Sequence, residues 1–126
     1  MMRKVDEWLA KAREDLTVAQ LSAANKLWNP CCFHAQQCGE KGLKALLEAH
    51  QMLIPRTHDL EQLLDELEPM VDVNLIRDAA ALLSAYGVEA RYPGFNAEES
   101  EATAAVAEAN RVVDWVVSVL PRTPPA

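Results

Sequence analysis

Two stretches of this 126-residue chain hold most of the side chains able to handle phosphate or protons. One is HAQQCGEKGLKALLEAHQMLIPRTHDL, from His34 to Leu60, and the other is ARYPGF, residues 90–95. Lysine and arginine bind phosphate through charge-assisted hydrogen bonds, histidine exchanges protons near neutral pH, and an aromatic ring can stack on a base. Lys41, Lys44, Arg56, His58, Arg91 and Tyr92 are therefore the candidate nucleotide- or phosphate-binding residues, on condition that the helix bearing the lysines, the Pro55 turn and the Tyr92 loop converge. Each also has a purely structural reading. Lys41 and Lys44 would pair with neighbouring acids, and Arg56 would lie in solvent. His58 would fix its turn by bonding to backbone. Arg91 and Tyr92 would lock their loop, with Pro93 and Gly94 setting its bend.

The helix with the lysines also carries Cys31, Cys32, His34 and Cys38. Neighbouring Cys31 and Cys32 point about 100° apart, and Cys38 lies roughly 10 Å further along, so an intrachain disulfide is not expected. Cys31, His34 and Cys38 share a face, but ligands spread over two turns suit one tetrahedral site poorly, and no fourth ligand is evident. The expectation is no metal and no cofactor, with the cysteines as reduced, small packing residues.

The elements that must position these residues read as helices throughout. The first covers residues 4–25, with Val5, Trp8, Leu9, Ala12, Leu16 and Ala19 on one side. The second opens at Asn29-Pro30 and runs to about His50. Its residues Ala35, Cys38, Gly39, Gly42 and Ala45 would admit a close helix neighbour. Its polar residues Gln36, Gln37, Glu40, Lys41, Lys44 and Glu48 would form a solvated face, a cleft wall or a dimer seam. If the small-residue face is such a seam, Gly42 lies in it. Ile54-Pro55 breaks the pattern, and a short third helix follows with Leu60, Leu63, Leu64 and Leu67 inward, bounded by Pro69.

A fourth helix is read from Val73 to Tyr86 on Leu75, Ile76, Ala79, Leu82 and Leu83, with Gly87 as its stop. Residues 88–95 read as a loop. The last helix is placed after Asn96 as N-cap, with Glu99 as capping-box partner, and its apolar stripe runs from Ala102 to Leu120 through Val112, Val113, Val116 and Val117. The fold class is all-α, an up-and-down bundle of four to five helices. A single domain spans residues 1–120, and residues 121–126 form a disordered tail.

Half the residues are apolar and a quarter charged, and the net charge of −7 argues against broad, nonspecific attraction to nucleic acid. No apolar run nears the roughly 20 residues of a membrane span, and no signal-peptide core opens the chain, so a cytoplasmic protein without membrane contact is expected.

AQQCGEKGLKALL is similar to the HEPN-family helix built around an alanine–glutamine–glutamine, glutamate–lysine and lysine–alanine–leucine core. PRTHDLEQLL resembles that family's turn into its third helix, ARYPG its loop before the last helix, and WLAKAREDLTVAQ its first helix. The resemblance extends over residues 5–118. It implies a helical bundle that commonly dimerises and is associated with small nucleotidyltransferases in toxin–antitoxin-like systems. Many HEPN proteins also cleave RNA without metal, using an arginine followed by a histidine. The matching arginine would be Arg91, and the positions where that histidine belongs hold Asn96, Ala97 and Glu98. The resulting expectation is a dimeric binding and assembly module, the partner of a small nucleotidyltransferase, with a site for nucleotide or RNA phosphate. The alternatives are a ribonuclease with an unconventional arginine–histidine site, in which His58 and Arg91 meet, and a structural oligomer.

Overall fold

The computed structural model describes residues 3–121. Five α-helices follow one another: α1 (Lys4–Ala24), α2 (Trp28–Ala49), α3 (Leu60–Leu67), α4 (Arg77–Ser84) and α5 (Glu99–Val119). No strand occurs among the described residues, and none of their helices is long and apolar enough to cross a membrane. The all-α reading is thus correct. The tail assigned to residues 121–126 lies, beyond Pro121, outside the described residues.

Helix α2 is the centre of the bundle, packed by α1, α5, α3 and α4. Pro30 sits in its first turn, where a missing N–H costs no intrahelical bond. Helices α1 and α2 end alike. Lys26 and Gln51 adopt left-handed φ angles of 60° and 58°, and Leu27 N–H and Met52 N–H donate back to the carbonyls of Ser22 and Leu47. That six-to-one bond closes each helix at a position usually given to glycine. Asp59 caps α3 by accepting from Glu61 N–H at 3.0 Å, and its four leucines are fully buried.

Several boundaries differ from the sequence reading. The segment before α4 is a separate 3-10 turn, Asn74–Ile76, and the α4 core stripe is Ile76, Ala79, Ala80 and Leu83. That i, i+3, i+4, i+7 set leaves Leu82 on the flank and Leu75 outside the helix, so both are exposed rather than core residues. Residues Glu89–Arg91 form a further 3-10 turn inside the segment read as loop. The N-cap of α5 is Glu98, not Asn96, and the capping box pairs it with Glu101. Asn29 accounts for the two-residue shift. Its amide donates to Phe95 O at 2.8 Å and accepts from Ala97 N–H at 2.7 Å, which keeps the chain extended past Asn96. Along α5, Val117 is exposed and Trp115 is buried instead.

The small residues of α2 serve packing inside the chain. A Cβ on Gly42 would lie 3.7 Å from Val113 Cγ2 and 4.0 Å from Val112 and Val116, so this face meets α5 and is not a dimer seam. A Cβ on Gly39 would lie 2.8 Å from Leu60 Cδ2 and 3.0 Å from Leu83 Cδ1, both fully buried side chains. Gly42→Ala therefore gains helix propensity without a clash and should stabilise the fold by up to about 1 kcal/mol. Gly39→Ala must displace two packed leucines, which costs about 1–3 kcal/mol. Urea unfolding should place Gly42→Ala above the parent protein and Gly39→Ala below Gly42→Ala. The reverse order would mean that the α2–α3–α4 corner is loosely packed.

Candidate functional site

The polar row of α2 is mostly not a solvated face. Gln36, Glu40 and Lys44 are buried, at positions i, i+4 and i+8 of one helix side. Glu40 is the hub. Its Oε1 meets His58 Nδ1 at 2.8 Å and accepts from Gln36 Nε2 at 3.3 Å and Gln37 Nε2 at 3.5 Å, while its Oε2 accepts from Lys44 Nζ at 3.1 Å. Gln36 Nε2 also donates to the carbonyl of His58 at 2.8 Å, and Gln37 donates to Gln36 Oε1 at 2.7 Å. The Pro55 turn is thus tied to α2 through both the ring and the backbone of His58. Lys44 extends on to α1, its ammonium 5.9 Å from the centroid of the Trp8 ring.

A second carboxylate repeats the pattern on the α1 side. Asp15 is buried, meets His34 Nδ1 at 2.9 Å and accepts from Lys41 Nζ at 2.6 Å. Phe33, beside His34, carries the Arg91 guanidinium 4.7 Å from its ring centroid. This cation–π contact fastens the 3-10 turn to α2. Tyr92 is 62% exposed. Arg56 and His58 share an open cleft of about 600 Å³ with Asp59, Glu61, Ser84 and the apolar Val88.

The six sequence candidates therefore divide. Lys44 and His58 converge on Glu40, and Arg56 joins His58 in the cleft. Lys41 is committed to Asp15, Arg91 to Phe33, and Tyr92 to neither group. The expected bond from the His58 side chain to backbone is replaced by the Glu40 carboxylate. Sequence reasoning missed Asp15 as an organising residue. The signal was present, since Asp15 interrupts the buried row Ala12, Ala19 and Ser22 with a carboxylate.

The cysteines lie in the core. The thiols of Cys31 and Cys38 point at the carbonyls of Ala102 and Ala109 on α5, at 3.7 and 4.0 Å. Burial pushes Cys32 and Cys38 up to about 12, with the charges of Cys31 and Glu101 adding to the effect at Cys32. His34 is engaged by Asp15, not by a sulfur.

The HEPN domain family model matches residues 5–120. The chain belongs to the HEPN domain family. Its fold is similar to the crystal structure of TT1696 from Thermus thermophilus, with 31% identity and a TM-score of 0.84 over 93% of this chain and 98% of that one. It is also similar to ST0689, an archaeal HEPN homologue, at 26% identity and a TM-score of 0.77 over 95% and 100% of the two chains. TM0613, a HEPN domain protein from Thermotoga maritima, shares the fold with a TM-score of 0.79 at 20% identity, over 93% and 99%. No curated protein matches the chain. In this HEPN domain no histidine stands between Arg91 and Val119, and Glu98 is occupied as the cap of α5.

The Glu40 hub sets a clear order of stabilities. The side chains of Glu40 and Lys44 are 5% and 10% exposed, so Glu40→Ala strands a buried ammonium and should cost about 3 kcal/mol or more. His58→Ala removes a side chain that is 58% exposed and should cost about 1 kcal/mol or less. Chemical denaturation of both variants checks the order, and equal losses would contradict Glu40 as the hub. The thiols give an independent check. In the folded protein at pH 8, a thiol-specific disulfide reagent should leave Cys32 and Cys38 unmodified, and in urea all three cysteines should react.

Proposed function

We propose that this HEPN domain is a binding and assembly module that pairs with a second copy and docks with a small nucleotidyltransferase in a cytoplasmic toxin–antitoxin-like system. Within it, Arg56, His58, Arg91 and Tyr92 take the phosphate or base of a nucleotide or RNA, and Lys41 and Lys44 line that side of α2. The observation that carries the reading is the internal neutralisation of α2. Lys41 pairs with Asp15, and Lys44 and His58 both pair with Glu40. Lysines bound this way shape and stiffen a surface, while a ribonuclease needs its cations turned toward the scissile phosphate.

One observation favours a second reading. A largely exposed imidazole whose Nδ1 is held by a buried carboxylate has its tautomer and orientation fixed, which is how a proton-transferring histidine is commonly prepared. A metal-independent ribonuclease built on His58 with a nearby arginine is the alternative.

A fluorescent single-stranded RNA separates the two. In EDTA, the assembly reading expects no cleavage above buffer but salt-sensitive binding, weakened several-fold by Arg56→Ala or Arg91→Ala. Cleavage that His58→Ala abolishes would replace it with the ribonuclease reading. Co-expression with any small nucleotidyltransferase encoded beside this chain should give a complex that co-elutes on size exclusion.

A further inference from the structure

A second groove lies on the α1 side of the bundle, outside the cleft of Arg56 and His58. Lys4, Glu7, Trp8 and Lys11 form one wall, at positions i, i+3, i+4 and i+7, which share one side of α1. Glu48, in the last turn of α2, and Ile54 form the other. The space is about 490 Å³, within the range of small-molecule sites. Trp8 and Ile54 pack partly against the core and give the groove its apolar surface. Glu40 holds Lys44 at 3.1 Å, and the nearly buried Lys44 ammonium lies 5.9 Å from the centroid of the Trp8 ring. The indole is thus braced before any ligand arrives.

The rim of this groove carries two lysines and two glutamates. Glu7 has Lys4 three residues before it and Lys11 four residues after it, the spacings at which helical ion pairs form. Arg3 and Asp6 do pair in the same stretch, at 3.1 Å. Yet Lys4, Glu7, Lys11 and Glu48 form no ion pair among the described residues. Charges of both signs therefore stand apart around one apolar surface.

Charge complementarity selects the occupant. A polyphosphate would meet two carboxylates here, and a simple amine would meet two ammonium groups. A zwitterion finds a partner for each end, through charge-assisted hydrogen bonds. The indole and the Ile54 side chain add contact area for an apolar body. We propose that this groove binds a small zwitterion of the α-amino-acid class with an aromatic or branched side chain. Lys4 and Lys11 take its carboxylate, Glu7 and Glu48 take its ammonium, and its side chain lies on Trp8 and Ile54. None of these six residues belongs to the nucleotide or RNA site, so the two readings stand or fall separately.

Isothermal titration calorimetry of the full chain with L-phenylalanine tests it. Phenethylamine, which lacks the carboxylate, and 3-phenylpropionate, which lacks the ammonium, should each bind about tenfold more weakly than L-phenylalanine. Lys4→Gln/Lys11→Gln should weaken L-phenylalanine by a similar factor and leave phenethylamine unchanged. Glu7→Gln/Glu48→Gln should do the same and leave 3-phenylpropionate unchanged. Arg56→Ala, in the other cleft, should alter none of the three. Circular dichroism confirms that each variant is folded. No binding of L-phenylalanine at millimolar concentration overturns the proposal. Equal binding of the three compounds, or indifference to both double variants, overturns the zwitterion assignment, and loss of binding in Arg56→Ala overturns the location.

Discussion

A carboxylate buried in the middle of a helical bundle must be neutralised and hydrogen-bonded, because desolvating an unpaired charge would cost several kcal/mol. Glu40 is that carboxylate, and much of the architecture around α2 follows from satisfying it. Lys44, one turn on, supplies the charge, and Gln36, one turn back, supplies an amide that also reaches the carbonyl of His58. His58 closes the set from a different segment. One side chain thereby fixes the path of residues 50–59, which contain no helix of their own, and sets where α3 begins. Asp15 does the same between α1 and α2, joining Lys41 and His34. The bundle is stitched along two sides of α2 by acids that its composition alone would assign to solvent.

This arrangement changes what the basic residues of α2 mean. A lysine that neutralises a buried acid contributes little net field to an approaching phosphate. Arg56 and Arg91 stand on segments outside the long helices and form no ion pair with a carboxylate among the described residues. Those two arginines are themselves placed by α2, Arg91 through Phe33 and Arg56 through the turn that His58 anchors. Rigid helices carry the counter-charges, and the loops they pin present the groups with surface exposure.

The helices were legible in the sequence because their apolar periods are long and clean. The Leu60, Leu63, Leu64 and Leu67 set and the Ala102-to-Val116 stripe lie inside as read. Errors arose where a tertiary contact competed with a local signal. Asn96 has the chemistry of a cap, yet the two bonds that Asn29 makes to Phe95 and Ala97 move the start of α5 on to Glu98. Leu75 and Leu82 have the right residue type, but the buried stripe runs through Ile76, Ala79, Ala80 and Leu83, which leaves Leu82 on its flank and Leu75 in the 3-10 turn before α4. For the site, the residue types and the two segments were readable, while their partners were not. That Lys44 and His58 share one acid depends on which way the Pro55 turn folds back, and no spacing along the chain encodes it.

The N-terminus of α5 shows a further use of carboxylates in place of outside anions. It follows the segment of Arg91 and Tyr92, and a helix N-terminus favours bound anions through its free N–H groups. Here one of them, the Glu101 N–H, already has the Glu98 carboxylate. Glu98 and Glu101 form the capping box, and Glu99 adds a third carboxylate in the same turn. The Tyr86 hydroxyl donates to Glu101 at 3.4 Å, and burial, together with the neighbouring Cys32 and Glu101, pushes that phenol up to about 12, so it remains a neutral donor. A phosphate brought to this helix start would meet three carboxylates. Glu98 uses its carboxylate to complete the helix, which leaves the start of α5 acidic. An acidic helix start thus follows a turn whose arginine is pinned on phenylalanine.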